Sequence, residues 1–176
     1  TIVKRLRAPG GCPWDREQTH ASLKPYVIEE AYEVVDAIDS GESENLSEEL
    51  GDLLLQVGLH AEIASEKGAF DIETVLRKIS AKLIHRHPHV FSEETANSSA
   101  EVLSKWEDIK KKEKEGRGLF DGLPKSMPGL RRAHRIGEKA HRVGFDWKDS
   151  VGPREKVSEE LLELDEAVAI GNEKEI

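Results

Sequence analysis

The segment Ile28-Glu29-Glu30-Ala31-Tyr32-Glu33-Val34-Val35-Asp36-Ala37-Ile38 decides the fold class of this chain. Its apolar side chains recur every three or four residues, which predicts an α-helix with one buried stripe. The predicted stripe consists of Val27, Ala31, Val34 and Ile38. At about 100° per residue, Glu30 and Glu33 lie side by side on one flank of that stripe. We therefore expect a helix that carries two acidic side chains close to its packing surface.

The segment from Leu46 to Ala61 repeats this arrangement. Its predicted stripe consists of Leu46, Leu50, Leu53, Leu54, Val57 and Ala61, and Glu49 and Asp52 occupy the same flank. If the two stripes face each other, the four carboxylates converge, and repulsion and desolvation raise their pKa values unless a cation binds among them. Mg²⁺ and Mn²⁺ prefer such oxygen ligands. The pattern predicts a divalent metal site, and a solvated acidic face is the alternative.

Composition favours a helical protein with many surface charges. Charged residues make up 35% of the 176 residues and aromatic residues 5%, and the net charge of -9 argues against a nucleic-acid backbone as the main partner. Cys12 is the only cysteine, so no internal disulfide is possible. No signal peptide and no membrane-spanning apolar run is recognisable. We expect a soluble, cytoplasmic protein that binds neither nucleic acid nor membrane.

The rest of the chain continues the helical pattern. A third helix is predicted from a cap at Asp71 to Pro88, and Lys82 and Arg86 lie i, i+4 on one of its faces. A capping box at Ser98–Glu101 opens a fourth helix. We predict a first domain over residues 1–115, a linker rich in glycine and proline over 116–129, and a second domain over 130–176. His85, His87 and His89 do not have the spacing of a zinc site.

The second predicted domain begins like the first. With an offset of 130 residues, Glu29, Glu30, Glu33, Ala37 and Gly41 align with an equivalent set in the second segment. That set is Glu159, Glu160, Glu163, Ala167 and Gly171. Such a repeat indicates duplication of one helical unit. Counterparts of the second acidic pair fall beyond position 176, so we expect the second domain to be incomplete.

Several motifs, in their order and spacing, closely resemble the MazG family of nucleoside triphosphate pyrophosphohydrolases. They are Cys12-Pro13-Trp14-Asp15, Gln18-Thr19-His20, Pro25-Tyr26, the EExxE of Glu29–Glu33, the ExxD of Glu49–Asp52, and Arg86-His87-Pro88-His89-Val90-Phe91. The resemblance implies an all-α fold whose unit is a four-helix core that pairs into a tight homodimer. It also implies Mg²⁺, with Mn²⁺ as a possible substitute, held by Glu30, Glu33, Glu49 and Asp52. The family's phosphate-binding residues correspond to Lys82 and Arg86.

The resemblance further implies a reaction and its roles. The expected activity is hydrolysis of nucleoside triphosphates, ribose or deoxyribose, between the α and β phosphates to monophosphate and pyrophosphate. Glu29 and Glu33 are the candidate general bases. The alternatives are a related enzyme for a narrow substrate, such as phosphoribosyl-ATP or a modified or deoxy nucleotide, and a non-catalytic helical dimer that binds nucleotides or a protein partner. At the position of Asn45, catalytically competent repeats of the family can carry a lysine, so this residue departs from the family pattern.

Overall fold

The computed structural model describes residues 1–113, 116 and 118–171, and this part of the chain contains α-helices and no strand. The predicted all-α class is therefore confirmed. The helices are α1 (Ile2–Arg7), α2 (Pro13–Glu17), α3 (Lys24–Ser40), α4 (Ser43–Glu66), α5 (Ile72–Arg86), α6 (Pro88–Phe91), α7 (Ser99–Glu113), α8 (Gly129–His141) and α9 (Val151–Ile170). Two compact units divide between Lys110 and Lys111. None of the described helices is long and apolar enough to cross a membrane.

A hairpin of α3 and α4 forms the centre of the first unit. Gly41, between the two helices, has φ +72°, and its N–H donates to the carbonyl of Ile38. This left-handed conformation suits glycine because it has no Cβ. α3 packs along α4, while α1 and α5 also contact α4. Leu23, Leu59 and Ile63 form the fully buried core, against which Val3 packs.

The faces that meet inside this hairpin differ from the predicted stripes. On α3, Ala37 is buried and Ile38 is 57% exposed, although the periodicity placed Ile38 in the stripe. On α4, Leu50 and Leu54 are exposed, whereas Gln56 is 6% exposed. The contact is therefore rotated from the predicted one, and Glu30 and Glu49 lie within the partly buried faces rather than beside them. This rotation brings the acidic side chains between the two helices.

Many large apolar side chains of the first unit remain exposed in the single chain. On α3 and α4 they include Tyr32 at 58% and Leu54 at 64% exposure. The exposed apolar surface of α3, α4 and α5 consists of Ile28, Tyr32, Val35, Ile38, Leu50, Leu54, Leu55, Val57, Leu76, Ile79, Leu83 and Ile84. Leu76, Ile79 and Leu83 recur at helical spacing along α5, and all three are exposed in the single chain. Both α3 and α4 have two apolar faces, of which the hairpin covers one.

Local capping signals set several helix boundaries. The Asp71 carboxylate accepts a hydrogen bond from the Thr74 N–H, and Ser98 Oγ accepts one from the Glu101 N–H. These bonds satisfy N–H groups that have no partner within the helix. α4 begins at Ser43, only two residues after Gly41 ends α3 and reverses the direction of the chain. Trp14 lies in the short helix α2, which the sequence had not predicted.

The second unit repeats features of the hairpin's first helix. Ala167 on α9 is buried, as is its equivalent Ala37 on α3. Gly171 ends α9 with φ +68°, as Gly41 ends α3. Residues 118–128 form turns and irregular backbone ahead of α8. The predicted boundaries at 115 and 129 stay predictions.

Candidate metal centre

Three of the four predicted metal ligands meet between α3 and α4. One carboxylate oxygen from each of Glu30, Glu49 and Asp52 lies within 4.8 Å of the others. Glu30 and Glu49 are half-buried and Asp52 is exposed, so the group opens to solvent on one side. Three anionic oxygen donors in this arrangement fit a hard divalent cation that retains part of its hydration shell.

Electrostatics disfavour this cluster without a cation. Burial raises the pKa of Glu30, and the charges of Glu33 and Asp52 raise it further. Burial likewise raises the pKa of Glu49, with additional contributions from Glu33, Asp52 and Glu48. A carboxylate surrounded by like charges gains a proton more readily than in water. A divalent cation would reverse this balance by pairing with all three oxygens.

Glu33 lies beside the three-carboxylate group without belonging to it. Its charge raises the pKa of both Glu30 and Glu49, which places it near both side chains. Glu33 itself is exposed, as is Glu29, which the group does not include. The structure therefore brings Glu33 close to the cluster as an acid with open access to solvent. The assignment of Glu29 or Glu33 as general base stays a prediction.

Gln56 is a polar side chain at this site that the sequence analysis did not single out. Its Nε2 donates a hydrogen bond of 3.3 Å to Glu30 Oε1, and its own Oε1 is buried without a partner among the described residues. The pattern Glu49, Leu53, Gln56, His60 runs along one face of α4 at intervals of three and four. A polar residue at that spacing within an apolar run was the available signal.

A second unpredicted contact joins the N-terminal segment to α4. His20 Nδ1 lies 2.8 Å from His60 Nδ1, so one ring donates the shared proton and the other accepts it. Burial lowers the pKa of His60, and the neighbouring His20 lowers it further. Two protonated rings would repel across this contact. The pair is therefore favoured when at most one imidazole is charged.

Arg7 fixes the segment that precedes α3. Its guanidinium pairs with the Glu66 carboxylate at 2.7 and 2.8 Å and donates to the carbonyls of Asp15 and Gln18. Within that segment, Trp14 packs edge-on against Tyr26 with 5.8 Å between ring centroids. Tyr26 lies one turn before Glu30 on α3. The fixed segment thus holds Trp14 against Tyr26 at the start of α3.

The predicted phosphate ligands lie on α5. Lys82 is exposed and Arg86 is half-buried, and their spacing of four residues places them on one face. α5 contacts α4, the helix that carries Glu49 and Asp52. The role of Lys82 and Arg86 in phosphate binding stays a prediction.

Comparison with known proteins identifies the family. Residues 18–91 match the MazG nucleotide pyrophosphohydrolase domain. The crystal structure of a mazG-related protein from Thermotoga maritima is similar, with a TM-score of 0.52 and 33% identity over 62% of this chain and 94% of that chain. The chain belongs to the MazG family. The acidic cluster, the EExxE segment and the ExxD segment all lie within the matched domain.

Longer MazG family proteins resemble nearly the whole chain. The nucleoside triphosphate pyrophosphohydrolase/pyrophosphatase MazG of Thermotoga maritima is 52% identical over 95% of this chain and 65% of its own length. The nucleoside triphosphate pyrophosphohydrolase of Escherichia coli K12 is 48% identical over 93% of this chain and 64% of its own length. The chain thus spans slightly less than two thirds of these relatives.

Proposed function

We propose that this MazG family chain hydrolyses nucleoside triphosphates between the α and β phosphates, releasing a monophosphate and pyrophosphate. The observation that carries this proposal is the meeting of Glu30, Glu49 and Asp52 oxygens within 4.8 Å. Relatives about half identical to this chain are named for the same activity. The alternatives of a narrow-substrate enzyme and a non-catalytic binding dimer share the fold, and product analysis separates them.

The donor set fits Mg²⁺, and Mn²⁺ as a substitute. Glu30, Glu49 and Asp52 would hold the ion, and Glu33 lies close enough to influence two of these ligands. Oxygen ligands from carboxylates, completed by water or substrate phosphates, are typical for Mg²⁺. When bound, the ion supplies charge neutralisation for the phosphate oxygens and acidifies water at the site.

The chain's own residues would accept the proton of the attacking water and stabilise negative charge on the leaving group. Glu33 is exposed beside the cluster, so its carboxylate is available to accept the proton of the attacking water, with Glu29 as the alternative base. Lys82 and Arg86 would stabilise negative charge on the departing pyrophosphate. Trp14 belongs to the segment that Arg7 holds, and it forms a T-shaped pair with Tyr26 of α3.

A homodimer accounts for the exposed apolar surface of α3, α4 and α5. Tyr32 and Leu54 expose more than half of their surface, and both helices have a second apolar face that the hairpin leaves uncovered. Exposed apolar side chains on three consecutive helices favour a protein interface. We propose that a second copy of this chain covers it, as in the helical units of the resembled family.

The test is product analysis across the eight common ribo- and deoxyribonucleoside triphosphates, with Mg²⁺ and with EDTA. We expect monophosphate and pyrophosphate in Mg²⁺ only. Asp52→Asn should lower the rate about 100-fold or more, since one ligand of the ion is lost. Asp36→Asn, an exposed acid on the same hairpin outside the cluster, is the matched control. Diphosphate and inorganic phosphate as products, or equal rates for Asp52→Asn and the control, would contradict the proposal.

A further inference from the structure

Gln56 combines deep burial with an incomplete set of hydrogen bonds. Its side chain is 6% exposed and lies on the face of α4 that packs against α3. The amide nitrogen donates to Glu30 Oε1 at 3.3 Å, while the amide oxygen is buried with no partner in the described part of the chain. A buried acceptor left unpaired destabilises the folded state. An apolar side chain of similar size would avoid that cost.

The unpaired oxygen lies close to the acidic cluster. The oxygen and nitrogen of one amide are about 2.3 Å apart, so Gln56 Oε1 lies within about 5.6 Å of Glu30 Oε1. The cluster's three oxygens are themselves within 4.8 Å of one another. An acceptor at this range from a cation's ligands can receive a hydrogen bond from water in the cation's hydration shell. Mg²⁺ sites of this type keep several waters.

The amide also constrains Glu30 directly. Glu30 is the α3 member of the three-carboxylate group, whereas Glu49 and Asp52 both belong to α4. The hydrogen bond from Gln56 therefore ties the single ligand of α3 to the helix that carries the other two. A neutral amide does this without a positive charge that would compete with the cation. Hydrogen bonds of this kind orient ligands in many metal sites.

We propose that Gln56 is a positioning residue for the divalent cation. Its N–H group fixes the Glu30 carboxylate, and its carbonyl oxygen accepts a hydrogen bond from the hydration shell of the ion. This inference rests on the proposed function for the nature of the ligand. It differs from the ligand set itself, because Gln56 contacts a ligand and leaves the direct coordination to the acids.

The test measures Mn²⁺ binding without nucleotide, by electron paramagnetic resonance titration of the free ion. Gln56→Met keeps the side-chain length and removes both polar groups, and we expect it to weaken Mn²⁺ binding about 10-fold, as the loss of such partners does elsewhere. Gln56→Asn keeps the amide but withdraws it by one carbon–carbon bond, and we expect a smaller loss in the same direction. Gln18→Leu alters the chain's other glutamine, whose Nε2 bonds to the Trp14 carbonyl, and should leave Mn²⁺ affinity unchanged.

A purely structural role gives the opposite result. If Gln56 only supported the fold, Gln56→Met would lower the free energy of unfolding in EDTA and leave the Mn²⁺ affinity of the folded protein unchanged. We expect unfolding in EDTA to require at least as much urea as in the unaltered protein, because an unpaired buried acceptor is removed. Affinity within twofold of the unaltered protein in both Gln56 variants overturns the inference. Absence of Mn²⁺ binding by the unaltered protein instead overturns the proposed function.

Discussion

Replacing Glu30 by glutamine should have opposite effects on stability with and without a divalent cation. The Glu30 and Asp52 oxygens lie at most 4.8 Å apart, and Coulomb's law at that distance in a water-like medium gives about 0.9 kcal/mol of repulsion. The charge of Glu33 adds to this repulsion on Glu30. Glu30→Gln removes it while leaving an amide oxygen that can still accept the Gln56 hydrogen bond. The variant should therefore be more stable than the unaltered protein in EDTA.

The assay is urea unfolding followed by circular dichroism, in EDTA and in Mn²⁺. A gain of about 1 kcal/mol raises the midpoint by about 0.5 M urea, since the slope for a domain of this size is about 2 kcal/mol per M. In Mn²⁺ the order reverses, because the unaltered protein gains binding free energy that the variant loses. Asp36→Asn, on the same helix outside the cluster, should follow the unaltered protein in both media. A Glu30→Gln variant that is less stable in EDTA would refute the reasoning.

The pH dependence of the metal-free protein gives the same prediction a second readout. The pKa of Glu30 is raised above its ordinary value of 4.5, so the folded state binds its proton more tightly than the unfolded state does. Stability in EDTA should therefore fall as the pH rises above 4.5 and through the folded-state pKa. Glu30→Gln should flatten this decrease. An equal slope in both proteins would show that another group is responsible.

Further predictions concern stability, assembly and phosphate binding. Arg7→Met should lower the free energy of unfolding at pH 7 by about 2 kcal/mol, near the lower end for charge-assisted bonds because Glu66 is 41% exposed. Arg7 lowers the pKa of Glu66, so this contribution is present above pH 4.5 and is lost as the pH falls through the folded-state pKa. Urea unfolding of both proteins at a series of pH values will check this. Leu54→Glu should convert the proposed dimer to monomer in light scattering after size exclusion, and equal masses for variant and parent would contradict the interface. Lys82→Met and Arg86→Met should each lower kcat/KM about 10-fold or more with Mn²⁺ affinity unchanged, since one charge-assisted phosphate contact is lost; unaltered kinetics would remove them from the site.

Sequence periodicity predicted the helices and the acidic group more reliably than the faces that pack. Asp71 and Ser98 were predictable as caps because their hydrogen bonds are local. The meeting of Glu30 with Glu49 and Asp52 followed from placing two amphipathic helices together, and the structure places these three as expected. Their role as metal ligands stays a prediction until an ion is observed.

The sequence pattern could not predict which faces of α3 and α4 pack against each other, and the reason is physical. α3 carries apolar side chains on two faces, so hydropathy alone does not show whether Ala37 or Ile38 is the buried residue. Only the hairpin geometry decides that Ala37 is buried and Ile38 is exposed. The small side chain of Ala37 suits a close approach of two helices, which a count of apolar residues does not register. Gln56 was overlooked for the related reason that polar residues are usually assigned to solvent.

The exposed apolar surface of α3, α4 and α5 has a thermodynamic consequence if a second copy covers it. The core of the first unit is small, with Leu23, Leu59 and Ile63 as its largest fully buried side chains. Much of the driving force for folding then arises from association, which obeys mass action. The melting temperature of this protein should accordingly climb with its concentration. Dilution alone, with no change of solvent or temperature, would shift the equilibrium toward unfolded chains.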